Sequence, residues 1–142
     1  SVKVRVVDRC PGCGKGGVDL SRQAFARIAE PSAGRVPVTW QLVAGSVAGP
    51  VVYKYMDGTT RYWTAIQIRN HRWPVAALEI LPDGAADWIP VRRRSYNYFV
   101  HPETIPPGPI RVRVKSTTGA VLVDELPEPS DGVLVKGTAQ FR

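Results

Sequence analysis

No stretch of this 142-residue chain approaches the ~18 consecutive apolar residues of a membrane-spanning helix, so no membrane partner is expected. There is no internal repeat and no low-complexity tract. Cysteines number two, too few to staple a disulfide scaffold. The two histidines, His71 and His101, lie far from Cys10 and Cys13 and near no nucleophile, so neither a four-ligand zinc site nor a nucleophile–base pair can be read from the spacing. Gly-x-Ser-x-Gly, Walker and dinucleotide signatures are missing. No cofactor and no metal are therefore expected. No basic-then-apolar leader opens the sequence, and any secretion signal is expected to lie outside these residues.

What is present is turn chemistry and positive charge. Glycine and proline number 13 each, which favours many short strands over long helices. Lys and Arg total 19 against 12 Asp and Glu, a net +7 spread over both halves of the chain. Such a field suits polyanions in general, whether nucleic acid, anionic lipid or acidic polysaccharide, or it serves solubility alone. The length suits one domain or two small ones.

Val2-Lys3-Val4-Arg5-Val6 alternates as a half-buried strand does. A loop rich in glycine follows, from Asp8 to Gly17, and Ser21 is placed to cap a short helix. Ala24, Phe25, Ile28 and Ala29 fall on one helical face, and Pro31 ends it. Val36, Val38, Trp40 and Leu42 alternate again, predicting a second strand. Residues 44–48 read as a linker between segments 1–43 and 49–142. Beyond it the pattern is strands only: 51–56, 61–69, 75–81, 88–91, 96–100, 110–115, 120–123 and a terminal one over 137–141. Turns every ~8–12 residues make this an antiparallel sandwich. Two strands and a helix over 1–43 are too few to close a barrel, so the piece is expected to be completed by missing sequence or by another chain.

Several residues are candidates for chemistry. Cys10-Pro11-Gly12-Cys13 suits a local disulfide, or two cysteines with partners outside this chain. Asp8 and Asp19 flank the glycine-rich loop, where two carboxylates facing one groove could act as acid and base, or could simply close a turn and lead into the helix. Ile66 and Ile68 face the core, so Trp63 falls on the opposite face with Gln67 and Arg69. Tyr62 has inward parity and reaches solvent only through a loop or bulge. Tyr96 and Tyr98 share one face of another strand. Exposed rings on a sheet are platforms for sugar rings or nucleobases. Trp40, Trp73 and Trp88 lack a parity signal and are expected in the core. Arg111, Arg113 and Lys115 line one strand face and are candidates for contact with an anionic polymer, beside the cluster Arg92-Arg93-Arg94.

Taken in order, these motifs resemble the expansins, especially the microbial expansin-like proteins. Asp8 to Cys13, Gly17-Val18-Asp19-Leu20-Ser21 and Ala24-Phe25 are similar to the end of the family's first domain. Trp40, Arg61 to His71, Pro74-Val75, Ser95 to Phe99 and Gln140-Phe141 are similar to its second. The resemblance implies a mainly β protein: the back part of a double-psi β-barrel, with two strands and one short helix, followed by an immunoglobulin-like antiparallel β-sandwich. It implies a secreted, extracellular protein that loosens plant cell walls without hydrolysis. Its partners would be cellulose and matrix polysaccharides, including pectin, with no nucleic acid. The protein would be monomeric unless another chain completes the barrel. Asp19 takes the position of the family's indispensable acid and Asp8 that of a second groove residue. Tyr62, Trp63 and Tyr96 take the positions of the cellulose-binding aromatics. Met56 stands where bacterial relatives can carry a lysine, with Lys54 close by. A family-45-type β-glucan hydrolase and a pure carbohydrate-binding module are the alternatives.

Overall fold

The computed structural model describes all 142 residues, which divide into two compact units, Ser1–Leu42 and Val43–Arg142. In the first, helix α1 (Arg22–Phe25) starts where Ser21 Oγ accepts the Ala24 N–H at 3.2 Å. The turn runs on as Ile28 and Ala29 N–H donate to Phe25 O. Ala24, Phe25, Ile28 and Ala29 are its half-buried residues, as the spacing required. A 3₁₀ turn (Pro31–Ala33) follows, ending at Gly34 with φ 64°.

The two strands expected over 2–6 and 36–42 form no β-ladder. Alternation decides which face a side chain takes, but a strand exists only through its neighbour, and no segment of this unit pairs with either. No residue of this unit is fully buried, and Val6 and Val7 are more than 80% exposed. Trp40 also departs from expectation: it is 56% exposed, with Nε1 donating to Gly16 O at 2.7 Å.

The second unit holds eight strands: β1 (Val52–Tyr55), β2 (Thr64–Arg69), β3 (Val75–Pro82), β4 (Ile89–Arg93), β5 (Phe99–His101), β6 (Ile110–Ser116), β7 (Val121–Leu126) and β8 (Leu134–Lys136). All pairings are antiparallel, in the order β7-β6-β3-β4-β5-β2-β1-β8. β4 is the corner. Its residues Ile89 to Val91 pair with β3, and Arg92 and Arg93 pair with β5, so one strand serves two layers. Inward residues of both layers form one core that includes Tyr53, Tyr55, Ile66, Leu78, Ile80, Val112 and Leu126. Each buried aliphatic or aromatic side chain contributes about 1.5–3 kcal/mol. Trp73 packs against this core half-buried, as expected.

The terminal strand lies earlier than its expected 137–141. Val135 pairs with Tyr53, and the following residues only accompany Val51, through Gly137 N–H to Val51 O and Val51 N–H to Ala139 O. Position 137 must be glycine, because a Cβ there would meet Asp124 Oδ2 at 2.7 Å and Val51 Cγ2 at 2.9 Å. Residues 44–50 are held down rather than free. Gly45 N–H donates to Arg72 O, Asn70 Nδ2 donates to Ala48 O and Pro50 O, and Gln140 Nε2 donates to Gly49 O.

Asp124, 5% exposed, ties the two ends of the strand order together. It accepts from Tyr53 Oη at 2.7 Å, Thr138 N–H at 2.7 Å and Thr138 Oγ1 at 2.6 Å. Burial, then the hydrogen bond to Asp124, then its negative charge, push the Tyr53 phenol well above its ordinary value. Asp124→Ala strands these donors and should cost about 3 kcal/mol in urea unfolding; Tyr53→Phe should cost about 1.5–3 kcal/mol. The folded protein keeps the Tyr53 proton that the unfolded chain releases above pH ~10. Stability should therefore be full below that pH and fall as pH rises through it. Tyr53→Phe should flatten the fall, as urea midpoints between pH 8 and 11 would show; Tyr55, raised by burial, leaves a residual slope.

Candidate functional site

The chain ahead of β2 makes a two-residue hairpin. Thr60 N–H donates to Trp63 O at 3.1 Å and Trp63 N–H to Thr60 O at 3.2 Å, leaving Arg61 and Tyr62 at the turn positions. Thr60 Oγ1 accepts the Tyr62 N–H, and Thr64 Oγ1 donates to Thr60 O. This turn lets Tyr62 escape its inward parity: the residue is 57% exposed. Arg61 lies over one ring face, 4.3 Å from its centroid, and its Nη2 donates to Tyr62 Oη at 2.6 Å. One ring face is thus occupied and the ring is held in place.

Trp63 stands half-buried at the entrance of β2, in phase with Ala65, Gln67 and Arg69. Ala65 lies opposite Val100 on β5, so the residues in phase with Val100 share this outer face. Tyr98 is one of them. The strand expected from Tyr96 begins instead at Phe99, because Arg94 N–H bonds Tyr98 O at 2.7 Å and closes a tight turn. Asn97 takes the left-handed position, φ 62°, which asparagine tolerates. Tyr96 sits in that turn, 52% exposed, its ring centroid 6.1 Å from that of Tyr98. Tyr98 joins the candidate residues here, and its shared phase with Tyr96 is the sequence signal for it.

In the first unit Asp19 lines a cavity of about 830 Å³ with Lys15, Arg22, Phe25 and Arg35. Asp8 is not among the lining residues; its Oδ1 accepts the N–H of the next residue, Arg9, at 2.7 Å. Of the two expected groove residues, Asp19 lines this cavity, in a basic and apolar setting. Cys10 and Cys13 are bonded to each other, and Cys13 N–H donates to Cys10 O, which makes the disulfide local.

Arg111, Arg113 and Lys115 do share the outer face of β6, but acids stand beside them. Glu79 lies opposite Arg113 and takes a two-pronged bond, 2.6 and 2.9 Å, which holds its carboxyl below the ordinary value. Glu125 lies opposite Arg111. Trp88, expected in the core, is half-buried, with the Arg113 guanidinium 4.5 Å from a ring centroid. It precedes the corner strand β4, where no alternation fixes its direction.

Comparison with known proteins extends across this geometry. A family model described as Lytic transglycolase (DPBB_1) matches residues 1–40. Expansin-YoaJ of Bacillus subtilis (strain 168) is 34% identical over 143 residues, which take in 97% of this chain and 60% of the relative's length. The chain therefore spans three-fifths of that curated relative. The crystal structure of the apo expansin of Clavibacter michiganensis superimposes with a TM-score of 0.80 at 32% identity, over 99% of this chain and 69% of that one. A mutant of the same expansin, solved in complex with cellohexaose, matches with a TM-score of 0.80 at 31% identity and the same coverage. A likeness of sequence and structure that runs over nearly all of these residues, and over more than two-thirds of a solved relative, shows that the chain belongs to the expansin family.

Proposed function

We propose that this is a secreted, non-hydrolytic, expansin-type protein that binds cellulose and matrix polysaccharides of the plant cell wall and loosens glucan networks. The observation that carries the reading is the exposure of Tyr62 and Tyr96, with Trp63 on the same layer, in two turns that are closed by local backbone hydrogen bonds. Sugar rings present apolar C–H faces that stack on such rings. The cellohexaose complex of the Clavibacter relative supports a β-glucan as ligand. In this reading residues 49–142 are the binding domain and residues 1–43 belong to the barrel domain. Asp19 hydrogen-bonds a glucan hydroxyl as chains are displaced. Hydrolysis needs two carboxylates at a fixed separation, and the cavity of the first unit is lined by Asp19 without Asp8. The protein acts as a monomer.

A second reading, binding alone without loosening, is favoured by one observation: no residue of the first unit is fully buried. Wall-extension assays separate the two. Under the first reading the parent extends a stretched wall strip, Asp19→Asn abolishes extension, and both release no reducing sugar from β-glucan. Under the second, the parent binds and does not extend. Trp63→Ala should weaken cellulose binding about 5- to 150-fold in a pull-down, equivalent to one lost ring stack of about 1–3 kcal/mol. Tyr62→Ala should weaken it less, since Arg61 already covers one face of that ring. Undiminished binding by Trp63→Ala would remove the platform.

A further inference from the structure

Tyr53, Tyr55 and Tyr62 all hydrogen-bond through their phenolic oxygens, and they differ in which partner gives the proton. Tyr53 Oη donates to Asp124 Oδ2 and Tyr55 Oη donates to Pro127 O, each at 2.7 Å. Both residues are buried, so each proton is used inside the protein. Tyr62 is the reverse case. Its Oη accepts from Arg61 Nη2 at 2.6 Å, and no other hydrogen bond within the chain reaches this oxygen. A guanidinium carries donors and no acceptor. The Tyr62 proton therefore cannot return to Arg61 and must turn away from it. The residue is 57% exposed, so water takes that proton in the free protein.

Arg61 is itself anchored to a different part of the chain. Its carbonyl accepts the Ile105 N–H at 2.9 Å, and its Nη1 donates to Ile105 O at 3.5 Å. Ile105 is 2% exposed and belongs to the core. The guanidinium also lies over the Tyr62 ring, 4.3 Å from its centroid. One side chain thus links an exposed ring to the core, closes one of the ring's faces and sets the polarity of its hydroxyl. A charged donor on Oη polarises the O–H bond, which makes the phenol a better donor in turn.

We infer that Arg61 is a positioning residue of the glycan platform and makes Tyr62 a hydrogen-bond donor to a sugar oxygen. The sugar rests on the open face of the ring, and the Tyr62 O–H donates to a hydroxyl or ring oxygen at its edge. A flat apolar ligand would strip water from that proton and offer no acceptor in return, so the contact selects sugars over hydrocarbon rings. Arg61 acts through Tyr62 and touches no sugar itself. The inference rests on the glycan-binding reading and adds a polar, selective contact to the stacking one.

The test is a mutant cycle on the full chain, read as cellulose-binding isotherms. Tyr62→Phe keeps the ring and removes the donor. Arg61→Met keeps an unbranched stem and removes the guanidinium. Each should weaken binding about 3- to 10-fold, the range of one neutral hydrogen bond. Tyr62 is exposed and Arg61 half-buried, so thermal unfolding midpoints should stay near the parent's. In the Tyr62→Ala background, Arg61→Met should change binding by less than about 2-fold, because the residue it acts through is gone. The inference is overturned if Tyr62→Phe binds as the parent does. It is also overturned if Arg61→Met loses as much affinity in Tyr62→Ala as in the parent, which a direct sugar contact or a general structural role of Arg61 would produce. A parent that cellulose does not retain removes the glycan-binding reading together with this inference, whereas the other two outcomes leave that reading standing.

Discussion

A sheet that curls on itself has one inside, and in this molecule a single buried contact closes the curl. Tyr53 on β1 and Asp124 on β7 lie toward opposite ends of the strand order, yet the phenol donates to the carboxylate at 2.7 Å. Thr138 completes the cluster with two more donors, drawing in the segment that carries Phe141 to full burial. With Tyr53 and Tyr55 inward, the ladder β1–β2 places Ile68 and Ile66 inward beside them, and β2–β5 does the same for Phe99. Every intervening side chain must then face out. A slip of one residue would exchange the sets and bury Lys54, Gln67 and Arg69, so the core contact also fixes the composition of the outer surface.

That surface is shaped further by what each group meets across the strands. Arg113 and Arg69 are both arginines on strand faces. Arg113 has Glu79 opposite and Trp88 beneath it, and is spent on both. Arg69 has Val52 opposite and bonds only Gln67, a neutral partner, at 2.6 Å. The aromatic rings divide in the same way. Trp88 is covered by a guanidinium that is itself anchored by a carboxylate, whereas Tyr62 is covered on one face only. Identical residue types are thus tied into ion pairs on one layer and left more exposed on the other.

This explains which parts of the protein were legible in its sequence. The alternation around Ile66 and Ile68 is uninterrupted, so the outward phase of Trp63 could be read directly. Ser21 and the four apolar residues after it describe a capped turn that depends only on local chain geometry. Tyr62 required the backbone hydrogen bonds of the Thr60–Trp63 turn to decide its direction. Trp88 precedes a strand that changes layers, and Trp40 belongs to an alternating segment with no neighbour to give its phase a meaning. Asp124 was hidden in a run of mixed residues, although it shares phase with Leu122 and Leu126. What stayed illegible was a property of hydrogen bonding, within a turn for Tyr62 and between distant segments for Trp88, Trp40 and Asp124, which alternation alone does not encode.

The same distinction separates the two units by capability. The second has a closed core, and its outer rings and cations are fixed by ladders that the unit supplies itself. Adhesion to a polysaccharide asks for nothing more: several weak contacts, each stacking or pairing, arranged on a firm surface. The first unit places Asp19 in a cavity, while Asp8 accepts from the N–H of Arg9. A carboxylate beside Lys15, Arg22 and Arg35 is equipped to accept hydroxyl hydrogen bonds.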